Sequence, residues 1–254
     1  TGQKDDKRAS YGEAGRPGDG GVVRRCRFGM PAADPGSVER YSGNPAEAVH
    51  VHHGLRGEEA DRDSRFAEEL CRELSVPFSL IYADVRGLAD REGISEEEAG
   101  RILRYESFES EGKKWESEEP GAGTSSVKIA VAHHSRDQAE TILLNLFRGS
   151  GLGGLKGIPY VRENIIRPLL DAEKEEILAY LEEKEISWVN DSSNDTDHYA
   201  RNRIRSHILP AVKEEITTGA EAGIRRAGYL AGMADAYLKK QAKEMDQGTG
   251  HIGR

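Results

Sequence analysis

An open α/β sheet, mostly parallel with helices on both faces and followed by a small helical segment, is the fold class this sequence predicts. Three observations carry it. Short apolar runs alternate with amphipathic stretches of helical period, as strand-helix units with right-handed crossovers require. The polar stretch His133-His-Ser-Arg-Asp137-Gln138-Ala-Glu140-Thr141 directly follows the apolar run Val127-Lys-Ile-Ala-Val-Ala132, and a strand-to-helix junction is where such sheets place ligands. Strand candidates are also too few and too widely spaced for an antiparallel barrel.

Residues 1–45 read differently from the rest. Asp5 to Arg8, Gly12 to Gly21 and Pro31 to Gly36 supply turn and loop residues without helical or strand period, so the segment is atypical and reads literally as disorder. Ala48 to His53 alternates apolar and polar like a strand end and turns at Gly54 to Gly57. Asp61 to Leu74 predicts an amphipathic helix through Phe66, Leu70 and Leu74, and Pro77 to Ala83 predicts a strand. Ser95 to Glu98 has capping-box spacing, so a helix is expected from there to Phe108.

Glu109 to Ser126, rich in Glu, Gly, Ser and Lys, reads as an exposed linker or insertion. The central strand 127–132 comes next. A helix from Arg136 to Phe147 follows, with Ala139, Ile142, Leu143 and Leu146 as its buried stripe. The glycines from Gly149 to Gly157 mark a flexible turn region. Ile165 to Pro168 leads to a helix from Asp171 to Lys184, Ile186 to Val189 reads as a short strand, and a helix after Arg201 is expected to break at Pro210. A last amphipathic helix covers Ala222 to Met245. The domain reading is therefore 1–45 atypical, 46–215 a nucleotide-binding catalytic domain, and 216–254 a helical linker or tail.

At 254 residues, 36% of them apolar, the chain holds enough for one large α/β domain with an appendage. Its mean hydropathy of -0.68 together with 32% charged residues marks a part that is less well packed. No apolar run approaches the ~20 residues of a membrane span, and no basic-then-apolar leader pattern is printed, so a cytoplasmic location and no membrane partner are expected. Cys26 and Cys71 stand in unrelated surroundings, which supports neither a disulfide framework nor a zinc cluster. The net charge of -9 disfavours generic nucleic-acid binding, leaving room only for a locally basic face. The oligomeric state is not fixed, and a homodimer stays open.

The chemistry-bearing candidates begin at His133 and His134, whose ring nitrogens bind phosphate when charged or move protons when neutral. Asp137 lies one helical turn beyond His133 and Glu140 one turn further, so the three share a face. One carboxylate would coordinate Mg²⁺ and the other receive an ammonium; the plainer alternative is a polar helix start, where aspartate is favoured by unpaired amides. Alternation sends His50 and His52 to one side of their strand and His53 to the other, against a single three-histidine metal site. Arg56, between Gly54 and Gly57, offers an anion contact or is an ordinary solvated turn residue. Arg101, Arg104 and Arg148 could neutralise a triphosphate or an RNA backbone, although each alone reads as a surface ion pair among 45 acidic residues. Arg201, Arg203 and Arg205 crowd around Asn202, a density that predicts a local phosphate-binding patch.

These residues resemble the catalytic domain of the tRNA(Ile)-lysidine synthetases, members of the N-type ATP pyrophosphatases with an adenine nucleotide alpha hydrolase-like fold. Four stretches carry the likeness, in the family's order across residues 48–210: Val49 to Gly57 with Glu58 to Asp61; Glu97 to Tyr105; Ala132 to Thr141 with Arg148 to Leu155; and Asp191 to Asn194 with Arg201 to Arg205 and Pro210. The resemblance implies a ligase that uses ATP and Mg²⁺. It would activate C2 of the wobble cytidine of a tRNA(Ile) with a CAU anticodon, and L-lysine would then displace AMP to leave lysidine. It implies catalytic roles for Asp137, Glu140, His133 and His134, with Asp137 also the metal ligand. It further implies nucleotide contacts at His52, His53, Gly54, Arg56 and Arg104, and tRNA contacts at Arg148, Arg201, Asn202, Arg203 and Arg205.

The sequence departs from that family at its front. A Ser-Gly-Gly-x-Asp-Ser loop that grips pyrophosphate is expected about twenty residues before His52-His-Gly, and Gly18-Asp-Gly-Gly21 is a poor substitute. One allowed choice of codons for Val23 to Pro35, read one base later, encodes Ser-Gly-Gly-Ala-Asp-Ser-Val-Cys-Leu-Leu-Arg-Ile-Leu, so the segment before about Ala46 is expected to be out of frame. The competing functions are another tRNA-modifying enzyme of the same family, thiolating or amidating, and a noncatalytic tRNA- or nucleotide-binding remnant. Cys71 lacks the cysteine partner that sulfur transfer calls for, and the intact His133 to Glu140 stretch weighs against a remnant.

Overall fold

The computed structural model describes residues 21–24, 46–118, 127–189 and 200–249. Asp191 to Asn194 and nearly all of the atypical 1–45 segment lie outside the described residues. The chain divides into two compact units, the first of Thr1–Ala132, Tyr160–Pro168 and Ile186–Ser193, the second of His133–Pro159, Leu169–Glu185 and Asn194–Arg254.

The first unit is an α/β sheet domain. Its strands are β1 (Gly21–Arg24), β2 (Ala46–His52), β3 (Phe78–Tyr82), β4 (Lys128–Val131), β5 (Val161–Arg162) and β6 (Ile165–Ile166), in the spatial order β3-β2-β1-β4-β6-β5. Two neighbouring pairs are parallel, β2 with β3 (Val49 opposite Ser79) and β4 with β6 (Ile129 opposite Ile165). The antiparallel pairs come from β1, which runs against both β2 and β4, and from the β5–β6 hairpin. Strand direction in the sheet is thus mixed.

Its helices are α1 (Glu58–Glu73), α2 (Val85–Glu92) and α3 (Glu96–Glu118). Alternation along β2 puts helices on both faces. Val49 and Val51 join Ile129, Val131 and Ile165 in a core closed by Tyr105 and Phe108 of α3, whereas His52 reaches Asp61 on α1 from the opposite face. Asp84 caps α2 by accepting the Gly87 amide at 2.9 Å, and Gly93 ends it in the left-handed region at φ 63°. That short helix is absent from the sequence reading, although Asp84 was its signal.

Two expectations are corrected here. Residues 109–118 are the last turns of α3 rather than linker, because Trp115 packs against the core and Glu116 accepts the Val127 amide at 3.0 Å. Ile186 to Val189 forms no strand.

The second unit is helical: α4 (Ser135–Phe147), α5 (Leu152–Leu155), α6 (Lys174–Glu183), α7 (Ala200–Arg203), α8 (Leu209–Glu215) and α9 (Ala220–Thr249). Between α7 and α8 runs a π-helical turn, Ile204–Ile208. The predicted break at Pro210 is therefore a change of helical pitch, with the proline in the first turn of α8, where a missing N–H is tolerated. The buried stripe of α4 also differs from expectation. Ala139 and Ile142 are buried with Glu140, Thr141 and Asn145, while Leu146 is exposed.

Candidate active site

Two clusters hold the predicted site residues, one in each unit. In the first, β2 ends at two imidazoles with opposite surroundings. The Gly54 amide donates to His52 Nδ1 at 3.2 Å, so Nε2 carries the proton and donates to Asp61 Oδ1 at 3.1 Å. Tyr82 lies beside the ring at 4.9 Å between centroids.

His53 is buried on the other face, where Arg104 Nη2 donates to its Nε2 at 3.3 Å. Burial first, and the Arg104 charge second, push the His53 pKa down to about 3, so the ring is neutral at physiological pH. His50 is lowered in the same direction by burial. Gly54 is exposed and bends with φ +68°, a conformation that suits glycine. Arg56 Nη2 lies 3.5 Å from Asp63 Oδ2. Arg101 lies over the Tyr105 ring at 5.7 Å and is buried, as is Arg104.

In the second unit, the N-terminus of α4 gathers the polar stretch. His134 is the cap: its Nδ1 accepts the Arg136 amide at 3.3 Å, and Asp137 Oδ2 accepts the His134 amide at 2.9 Å. The helix-start role weighed from the sequence is thus real, but it engages only one of the Asp137 oxygens. Oδ1 faces Arg205 Nη2 at 3.2 Å and Arg201 Nη2 at 3.5 Å. Glu140, fully buried, accepts from Arg201 Nε at 2.9 Å and from Arg205 Nε at 2.5 Å. The spacing explains the fit. Carboxylates three apart on α4 meet guanidiniums four apart across α7 and the π-helical turn.

Arg201 and Arg205 are therefore turned toward carboxylates, whereas Arg203 and Arg148 are exposed and Asn202 is buried. His133 is buried at the start of this stretch.

Three supporting contacts escaped the sequence reading. Gln138 clamps residue 158 by both groups of its amide: Oε1 accepts the Ile158 N–H at 2.6 Å and Nε2 donates to the Ile158 carbonyl at 3.0 Å. Ser135 Oγ donates to Glu173 Oε2 at 2.8 Å, and Arg225 binds the other Glu173 oxygen, holding that carboxyl below its usual pKa. Arg136 donates to the Arg205 carbonyl at 3.1 Å.

Asp137 does not fit the metal role in this arrangement. Both oxygens already accept N–H donors, whereas Mg²⁺ calls for oxygen ligands with open lone pairs in a near-octahedral shell. Among the described residues no three His, Cys, Asp or Glu side chains group as a metal site.

The first unit is thus an α/β sheet with imidazoles and an arginine at the end of β2, and the second holds an acidic-arginine cluster at the start of α4. Residues 37–212 match the PP-loop domain, and the chain belongs to the PP-loop domain family. It is 41% identical over 197 residues to a protein of Caldanaerobacter subterraneus subsp. tengcongensis named tRNA(Ile)-lysidine synthase, a match covering 78% of this chain and 40% of that one. A Porphyromonas gingivalis protein of the same name is 41% identical over 225 residues, covering 88% of this chain and 48% of its own. The chain thus spans about half the length of the curated relatives it matches. Among solved structures, a U34-tRNA thiolase from Methanococcus maripaludis aligns with a TM-score of 0.50 at 17% identity, over 75% of this chain and 63% of that one, a likeness of fold.

Proposed function

We propose that this chain carries the catalytic part of an ATP-dependent ligase. It joins L-lysine to C2 of the wobble cytidine in the CAU anticodon of an isoleucine tRNA. The observation that carries the reading is the buried cluster of Asp137 and Glu140 with Arg201 and Arg205, in a chain whose relatives are named for lysidine synthesis.

The C2 oxygen of cytidine attacks the α-phosphate of ATP and pyrophosphate leaves. An amine of lysine then adds to C2, and the C2–O bond breaks to release AMP. A lysine ammonium must lose a proton before it attacks. Asp137 receives the ammonium by exchanging a guanidinium N–H for an ammonium N–H, and Glu140 adds negative charge beside it while anchoring both guanidiniums. His134 commits Nδ1 to the helix cap, so proton removal is assigned to His133. His52, His53, Gly54 and Arg104 contact the nucleotide; exposed Arg148 and Arg203, with Asn202, contact tRNA. ATP arrives as its Mg²⁺ complex, with ligands other than Asp137. The substrate places the activity in the cytoplasm.

The absence of Ser-Gly-Gly-x-Asp-Ser upstream of His52 favours a second reading, a tRNA-binding remnant. One experiment separates the two. The purified chain, and a version with Ser-Gly-Gly-Ala-Asp-Ser-Val-Cys-Leu-Leu-Arg-Ile-Leu in place of Val23 to Pro35, are incubated with ATP, Mg²⁺, labelled lysine and the CAU tRNA. Label in tRNA with either chain supports the ligase, and label with the second alone also supports the out-of-frame segment. No label with either, with tRNA still bound, supports the remnant and overturns the ligase reading.

A further inference from the structure

Pro210 determines which donor serves the carbonyl of Arg205. In an α-helix that carbonyl would accept the amide of Leu209, four residues on. Here the Leu209 amide goes to Ile204 O instead, five residues back, as the π-helical turn requires. Five residues beyond Arg205 stands Pro210, which has no N–H to give. The Arg136 side chain donates to the Arg205 carbonyl, with Nη2 at 3.1 Å from its oxygen.

Arg136 is itself tethered. Its Nε lies 3.8 Å from Glu221 Oε1, the oxygen that Lys213 Nζ approaches at 3.4 Å. On its other side the Arg205 guanidinium reaches Glu140 Oε1 at 2.5 Å and Asp137 Oδ1 at 3.2 Å. Asp137 follows Arg136 directly in the chain, so the contacts close a ring: Arg136 to the Arg205 carbonyl, Arg205 side chain to Asp137, and Asp137 back to Arg136 through the α4 backbone.

We propose that Arg136 is a positioning residue for the acidic pair. It completes a carbonyl that Pro210 cannot serve, fixes the backbone from which Arg205 spans Asp137 and Glu140, and thereby sets the affinity for a lysine ammonium. The last clause rests on the assignment of Asp137 to lysine; the positioning contact does not.

The test is a double-mutant cycle on the whole chain, read by calorimetric titration with L-lysine and by hydrogen exchange of the 204–209 amides. Arg136→Ala weakens lysine binding about tenfold or more, as loss of a charged hydrogen bond to a buried group would. It also speeds amide exchange in the turn, and Arg136→Lys recovers part of both. With Pro210→Ala, residue 210 regains an N–H for the Arg205 carbonyl, and Arg136→Ala then changes affinity by less than about threefold. Unchanged exchange and affinity in Arg136→Ala, or the same penalty in both backgrounds, overturn the proposal. If the unmutated chain does not bind lysine, the assignment of Asp137 falls instead, and the exchange cycle alone decides the positioning contact.

Discussion

Arg201 Nε lies 2.9 Å from Glu140 Oε2, with side-chain exposures of 6% and 0%. The pair fastens α7 to α4 across 61 residues of sequence. Because Glu140 also binds Arg205, the two halves of the pair are not equivalent. Glu140→Gln leaves the buried Arg201 and the half-buried Arg205 short of counter-charge and should lower the free energy of unfolding by about 3–5 kcal/mol. Arg201→Gln leaves Arg205 on Glu140 and should cost less. Urea unfolding of both variants checks the order, and a larger loss for Arg201→Gln would contradict it.

His53 links stability to pH. Its folded pKa of about 3 lies below the ordinary 6.5, so the unfolded chain gains a proton in that window while the folded chain does not. Stability present above pH 6.5 is therefore lost as pH falls from 6.5 toward 3, by about 1.4 kcal/mol per unit. Between pH 7 and pH 5 the unmutated chain should lose on the order of 2 kcal/mol more than His53→Gln. His50, lowered in the same direction, is present in both proteins and drops out of the difference. Equal pH slopes would show that His53 is not buried as described.

Two glycines of α9 make opposite predictions. A Cβ on Gly228 would stand 2.4 Å from Ile142 Cδ1 and 3.0 Å from the Leu155 carbonyl oxygen, whereas one on Gly223 meets nothing within 4 Å. Gly228→Ala should destabilise by about 1–3 kcal/mol through overpacking. Gly223→Ala should stabilise by about 0.5–1 kcal/mol through helix propensity. Thermal melting of the two variants reads the contrast directly.

What was legible in the sequence follows from length and period. The strands β2, β3 and β4 and the helices α1, α4, α6 and α9 stand out because each carries one apolar face over enough residues to be counted. The two-residue strands β5 and β6 have no period to read, and β1 sits in glycine-rich surroundings that mask a strand. The end of α3 was misread for a local reason. Gly112 and the charged residues around it resemble a linker, but Gly112 lies against Val127 with room for a methyl at 3.5 Å, and Trp115 supplies the apolar contact.

At the site, the sequence marked both the acidic pair and the arginine patch and treated them as separate binders. Their complementary spacing, 137 with 140 and 201 with 205, was the available sign that they face each other. The work of Arg136 was not legible, because it depends on a contact with the Arg205 carbonyl across 69 residues of sequence, beside the π-helical turn.

Whether Asp137 receives lysine is decided by calorimetric titration of the whole chain and of Asp137→Asn with L-lysine. The asparagine keeps an oxygen for the His134 amide, so the fold and the α4 cap should persist. The unmutated chain is expected to bind lysine and Asp137→Asn to bind it at least about tenfold more weakly, as loss of a charge-assisted contact requires, with a lower melting temperature because an amide nitrogen then faces Arg201 and Arg205. Equal affinity in the two proteins would contradict the assignment of Asp137 to lysine.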